Sequence, residues 1–95
     1  MATEKTPHVL QDQVQLEKIT KRVKRAHGQM GAIVRMLEEG RSCEEIVTQM
    51  AAVAKAVNTA AFTLISANLK ECLVDPENDT DEIVTRLQKL FLSLA

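Results

Sequence analysis

Cys43-Glu-Glu-Ile46-Val-Thr-Gln-Met50-Ala-Ala-Val53-Ala-Lys-Ala-Val57-Asn-Thr-Ala-Ala-Phe62-Thr-Leu64-Ile-Ser-Ala-Asn68-Leu-Lys-Glu-Cys72 contains both cysteines of the chain and reads as one helix, with no Gly or Pro inside it. Its apolar residues (Ile46, Val47, Met50, Val53, Ala54, Val57, Ala61, Leu64, Ile65, Leu69) recur at intervals of three and four, the period of an α-helix. At about 100° per residue, Cys43, Asn68 and Cys72 fall within roughly 40° of one another, in the middle of the apolar arc. The thiols are nonetheless 29 residues apart, about 44 Å along a straight helix. A disulfide requires Cα atoms within about 7 Å. The two cysteines of one chain cannot meet.

Two chains remove that obstacle. If two copies of the helix pack antiparallel with Cys43 opposite Cys72′, facing residue numbers sum to 115. Ile46 then faces Leu69′, Met50 faces Ile65′, Val53 faces Phe62′ and Ala54 faces Ala61′. A register chosen only to join the thiols therefore also builds an apolar core. The competing reading is two unrelated buried cysteines, a common fate of this residue type.

Composition agrees with an all-α domain. Among 95 residues there are two Phe, no Trp or Tyr, three Gly and two Pro. The apolar arc of the 43–72 helix exceeds half its circumference, more than one neighbour can cover, so the chain is expected to oligomerise. By this reading no stretch approaches the roughly 18 to 20 apolar residues of a membrane span, and Met-Ala-Thr-Glu-Lys is no signal peptide. The expected location is the cytoplasm, with no membrane. There two cysteines point to metal or redox chemistry rather than a permanent bridge.

Residues 1–10 read as a flexible N-terminal tail, and residues 11–95 as one helical domain. The first helix opens near Asp12, which has capping-box spacing to Gln15. It continues on a heptad, Leu16, Ile19, Val23, Ala26, Met30, Ile33 and Leu37, which predicts packing along another long helix. Gly28 and Gly31 inside it are expected to permit close helix approach. Gly40 is the stop, and Ser42 with Glu45 starts the next helix after a connection of Gly40-Arg41-Ser42. The two helices should form an antiparallel hairpin. Asp75 to Asp79 is a turn, Asp79 and Glu82 repeat the capping spacing, and a short third helix carries Ile83, Leu87, Leu90, Phe91 and Leu94 on one side. That helix reads as a minor flank or an oligomer contact.

Charge is distributed unevenly. Residues 1–41 carry eight Lys and Arg against five Asp and Glu, and residues 42–95 four against eight. Lys18, Lys21, Arg22 and Arg25 form a stripe at i, i+3, i+4 and i+7. Their like-charged pairs each cost a few tenths of a kcal/mol, and only Glu17 offsets them. A merely solvated helix face would intersperse acids. An uncompensated stripe fits an external polyanion, above all the phosphates of duplex DNA. The helices are too long for a helix-turn-helix, and the scarcity of aromatics argues against stacking on single strands.

Cys43 stands at the first helical position beside Arg41, where the helix dipole and the guanidinium both favour a thiolate. It is the candidate nucleophile, and Cys72′ the resolving thiol. Asn68, one turn before Cys72, offers an amide oxygen where a nitrogen ligand would complete an S₂N metal set, so no metal site is assigned. His8 and His27 read as ordinary solvated or partly buried residues. No nucleophile–base pair, carboxylate pair or phosphate-binding Gly loop is present, so the chain does not read as an enzyme, and no cofactor is implied.

Lys21-Arg22-Val-Lys-Arg-Ala-His-Gly28-Gln29-Met-Gly-Ala-Ile-Val34-Arg35-Met36-Leu37-Glu38-Glu39, followed by Cys43, Gln49, Ala52 and Asn68-x-x-x-Cys72, resembles the CsoR/RcnR family of repressors over nearly the whole chain. The resemblance implies a dimer of helical hairpins, an antiparallel four-helix bundle, assembling into a tetramer and binding operator DNA through a face that includes Arg22. It also implies an inducer site shared by Cys43 of one subunit with residues 68 and 72 of the other. The family's basic DNA contact in the second helix falls at Thr59. Copper-sensing members have His at the place of Asn68. Nickel and cobalt sensors have His where this chain has Gln11 and Asn68, and formaldehyde sensors use an N-terminal Pro. The Cys-Asn-Cys set resembles the persulfide-sensing, CstR-like branch, which controls sulfide-detoxification genes. There Cys43 would take sulfane sulfur from a persulfide or polysulfide, and Cys72′ would close a di- or polysulfide bridge. The alternatives are a copper(I)-responsive repressor using the two thiolates, and a helical adaptor whose basic stripe meets an acidic protein.

Overall fold

The computed structural model describes residues 8–74 and 80–94, which form three helices and, among those residues, no strand. They are α1 (Gln13–Glu38), α2 (Cys43–Leu73) and α3 (Thr80–Leu94). The all-α hairpin with a short third helix is thus as expected. The Asp75–Asp79 turn and its cap lie outside the described residues.

Each end of the hairpin has a local cause. Asp12 caps α1, its side chain accepting from the amides of Val14 and Gln15 at 3.0 and 3.2 Å. Gly40 ends the helix with φ 72, the left-handed conformation that costs glycine least. There the Arg41 amide donates to the Met36 carbonyl at 3.0 Å and the Gly40 amide to Leu37 at 3.2 Å, a Schellman closure. Ser42 then caps α2, accepting from the Glu45 amide at 3.2 Å.

The heptad of α1 divides into two rows. Ile19, Ala26 and Ile33 are buried against Ile46, Val53 and Ala60 of α2, with Leu10, Met36, Ala56 and Ala67 packed around them. Leu16, Val23, Met30 and Leu37 remain exposed, Met30 at 56 %. A two-helix contact can cover only one row of a heptad seam. The consequence is an elongated chain, 54 Å in its longest extent with a radius of gyration of 17.4 Å, against about 13 Å for a compact domain of about 100 residues. α3 docks on α2 through Phe62 and Phe91, whose ring centroids are 4.8 Å apart, and buries Leu87.

Three expectations require correction. Residues 8–10 are held rather than loose: Leu10 is buried, and His8 Nε2 lies 2.7 Å from Glu71 Oε1. The glycines of α1 make no close approach within the chain, since a Cβ on Gly28 would meet nothing within 4 Å and one on Gly31 only the Arg35 guanidinium at 3.8 Å. Nothing in the structure explains them. Of the residues in the expected inter-chain pairs, Ile46 and Val53 are already buried against α1, and Phe62 packs against Phe91. Finally, α2 is by length and composition apolar enough to cross a membrane, with 11 % of that stretch buried in the single chain. Its many Ala, Val and Ile residues, spread all round the helix, produce that result.

Candidate thiol site and basic face

From each buried residue of the hairpin, the position four later lies about 40° to one side and the position three later about 60° to the other. On the first side stand Leu16, Val23, Met30 and Leu37 of α1 with Met50, Val57 and Leu64 of α2, all exposed. Cys43, exposed at the first position of α2, heads this second row at the same spacing of seven. On the other side stand Arg22 of α1 and Thr63 of α2, joined by a hydrogen bond from Arg22 Nη1 to Thr63 Oγ1 at 3.3 Å. The hairpin therefore has an apolar flank and a basic flank.

Lys18, Lys21, Arg22 and Arg25 are all exposed on the basic side of α1. Among the described residues none of the four pairs with an acid. The stripe read from spacing is thus also without an acidic partner among the described residues.

At the other functional element the two thiols differ. Cys43 is exposed, whereas Cys72 is 2 % exposed, in the half of α2 on which α3 docks. Neither is in a disulfide, and their places at the first and penultimate positions of α2 keep them apart within the chain. Asn68, half-buried, lies one turn before Cys72. The role expected of Arg41 is altered by its partners. Its Nε and Nη2 donate to Glu45 Oε2 at 3.0 and 2.7 Å, and Nη1 lies 3.7 Å from Glu39. The guanidinium staples the turn between α1 and α2, paired with carboxylates on both sides of it.

Glu71 was missed by sequence reasoning. It accepts from the Gln11 amide at 2.9 Å, the Asp12 amide at 2.7 Å and His8, so it ties the segment before α1 to the residue next to Cys72. The Asp12 amide is the donor that Gln15 would have taken in a reciprocal capping box. The Gln11 amide is the main influence holding the Glu71 carboxyl below the usual range; partial burial opposes it, and His8 and the Asp12 amide reinforce it. A signal existed: an acid in the last turn of a helix opposes the macrodipole, and it is tolerated where donors of another helix start supply the compensation.

The chain is thus a helical hairpin with a basic flank on one side and an exposed thiol heading an apolar flank on the other. Residues 15–93 match the model of the family described as metal-sensitive transcriptional repressor. The chain is 36 % identical over 59 residues to the copper-sensing transcriptional repressor RicR of Mycobacterium tuberculosis, covering 62 % of each chain. It is 31 % identical over 77 residues to the copper-sensing repressor CsoR of Bacillus subtilis, covering 79 % of this chain and 76 % of that one. It is also 36 % identical over 60 residues to the uncharacterized Bacillus subtilis protein YrkD, covering 60 % of this chain and 95 % of that one. The match to RicR spans less than two thirds of that protein's length. No solved structure matches. The chain belongs to the metal-sensitive transcriptional repressor family, a family of transcriptional repressors and not of enzymes.

Proposed function

We propose that the protein is a cytoplasmic, DNA-binding transcriptional repressor whose inter-subunit dithiol, Cys43 with Cys72 of a second copy, responds to persulfides and polysulfides. The observation that carries this reading is the position of Cys43 at the head of the exposed apolar row, with the unpaired basic stripe on the opposite flank. A second copy laid on the apolar flank covers the unused heptad row and brings a foreign α2 to Cys43. The pairs Met50–Ile65′ and Ala54–Ala61′ of the antiparallel register use residues that the chain's own hairpin leaves outside its buried row. The resulting dimers assemble into a tetramer.

The chemistry balances without a further oxidant. The Cys43 thiolate attacks the outer sulfur of a persulfide RS–SH, giving Cys43–S–SH and releasing RS⁻. Cys72′, 2 % exposed in the single chain, must be uncovered before its thiolate attacks the Cys43 sulfur, forming Cys43–S–S–Cys72′ and expelling hydrosulfide. The incoming sulfane sulfur is reduced as the two thiols are oxidised. A longer polysulfide leaves additional sulfur in the bridge. Linking two subunits changes how their basic faces can span the duplex, and DNA is released to allow transcription of genes that dispose of sulfide.

A second reading, copper(I) sensing, is favoured by the printed functions of RicR and CsoR. Two thiolates alone can hold a soft ion, but the residues present do not supply the nitrogen of an S₂N set. Copper(I) favours soft sulfur and imidazole nitrogen, and the set here is two thiolates with the Asn68 amide, whose oxygen is hard and whose nitrogen has no lone pair to give. A DNA-release assay with polysulfide, peroxide and copper(I), on wild type and Cys43→Ala, separates the readings. Release by polysulfide alone, lost in Cys43→Ala and accompanied by Cys43–Cys72′ linkages in mass spectra, is expected. Release by copper(I) alone, or a product crosslinked only between two copies of Cys43, ends the persulfide reading.

A further inference from the structure

We propose that Thr63 of α2 is a positioning residue for the nucleic-acid face: its hydroxyl aims the Arg22 guanidinium outward without neutralising it. The proposal rests on the DNA-binding reading above and names a contributor from the second helix that carries no charge.

The geometry fixes the hydroxyl before the arginine arrives. Thr63 Oγ1 donates its single proton to the Thr59 carbonyl one turn back, at 2.8 Å. With the proton so committed, only lone pairs face away from the helix, and Arg22 Nη1 donates to them at 3.3 Å. Thr59 makes the same bond to the Lys55 carbonyl at 2.8 Å, so the α2 surface beside the stripe is a row of hydroxyls with oriented acceptors.

The choice of acceptor matters. An unattached arginine among Lys18, Lys21 and Arg25 is repelled by its neighbours and samples many rotamers. A carboxylate would hold it and cancel its charge, as Glu45 and Glu39 do to Arg41. A hydroxyl holds one nitrogen and leaves the charge, with the remaining N–H donors of the planar fork turned to solvent. Those donors can take a phosphate or the edge of a guanine in pairs. Preorganisation of this kind raises affinity by lowering the entropy lost on binding.

The test is a double-mutant cycle on the full chain. Binding is measured to duplex DNA from immediately upstream of the protein's own coding sequence, with random duplex as control, across a range of salt. Thr63→Val keeps shape and removes the acceptor, and should weaken binding about three- to tenfold, the range of a single modest hydrogen bond. Thr63→Ser, which keeps the hydroxyl, should restore wild-type affinity. In an Arg22→Ala background Thr63→Val should change nothing, and thermal unfolding of the single variants should remain at the wild-type midpoint. An equal loss from Thr63→Val with and without Arg22, or an equal loss in Thr63→Ser, overturns the positioning role while leaving DNA binding intact. Failure of the wild type to bind any duplex overturns the DNA reading itself.

Discussion

The two flanks of the α1–α2 hairpin are built by the same two helices and separated by one residue in the repeat. Positions four after each buried residue are Val23, Met30 and Leu37 on α1 and Met50, Val57 and Leu64 on α2. Positions three after include Arg22 on α1 and Thr63 on α2. One flank leaves apolar area in water; the other leaves charge in water. Neither is a natural resting state for a stable surface, since apolar patches of this extent mark contacts and like charges in a stripe repel. Under the proposed function each flank takes a different partner, a second copy on one side and DNA on the other. On that reading the division would let one small domain assemble and bind DNA without the two interfaces competing for area.

The most damaging attack on this division is on the apolar flank. Val57→Asp buries an unpaired carboxylate if a second copy covers that row, and should shift the dimer dissociation constant by more than 100-fold, read by analytical ultracentrifugation. The same variant should leave the far-ultraviolet circular dichroism unchanged, because Val57 is exposed in the single chain. A dimer as tight as wild type would remove the apolar flank from the assembly.

Next in size is the contrast between the two thiols at the ends of α2. Cys43 is open and Cys72 is 2 % exposed. In the Val57→Asp protein, where no second copy covers the row, a maleimide should modify Cys43 more than tenfold faster than Cys72, and adding Phe91→Ala, which loosens α3 from Phe62, should accelerate Cys72 selectively. Equal rates by mass spectrometry would contradict the buried position. On the basic flank the expected effects are several-fold. Lys18→Ala and Lys21→Ala should each weaken duplex binding and lower the salt slope by about one. Affinity that falls with an unchanged slope would assign those lysines a role other than phosphate contact.

The fold was legible because its determinants are local. The Asp12 and Ser42 caps, the Gly40 stop and the three-four period each act within a few residues, and the structure places the helix ends where those residues put them. The stripe Lys18, Lys21, Arg22, Arg25 was legible for the same reason. The division of the heptad into a buried and an exposed row was not, because Ile19 and Val23 are equally apolar and only the partner helix decides between them. On this account Ile46 and Val53, read from the spacing as facing a second copy, are buried against α1, which covers one side of the arc. Arg41 misled differently. It was read as acting on Cys43, but its guanidinium pairs with Glu45, at the i,i+4 spacing, and lies near Glu39.

Glu71 gives the smallest expected effect and the sharpest sign. The Gln11 amide, helped by His8 and the Asp12 amide, depresses its carboxyl below the ordinary value of 4.5. A carboxylate whose folded value lies below its unfolded one stabilises the fold at pH values above the unfolded value, and that contribution disappears as pH falls through the folded value. Near neutral pH Glu71→Gln should therefore unfold more readily than wild type, and the gap between the two should narrow as the solution is acidified below about 4.5. Comparing the variant with wild type at each pH cancels the titration of the other carboxylates. The segment that Glu71 fastens sits against the residue next to Cys72, so hydrogen exchange at the Gln11 and Asp12 amides should rise in Glu71→Gln while the Ile33 and Ile46 amides stay protected. Exchange that rises throughout the hairpin would make Glu71 part of the global fold instead of a local fastening at the thiol end.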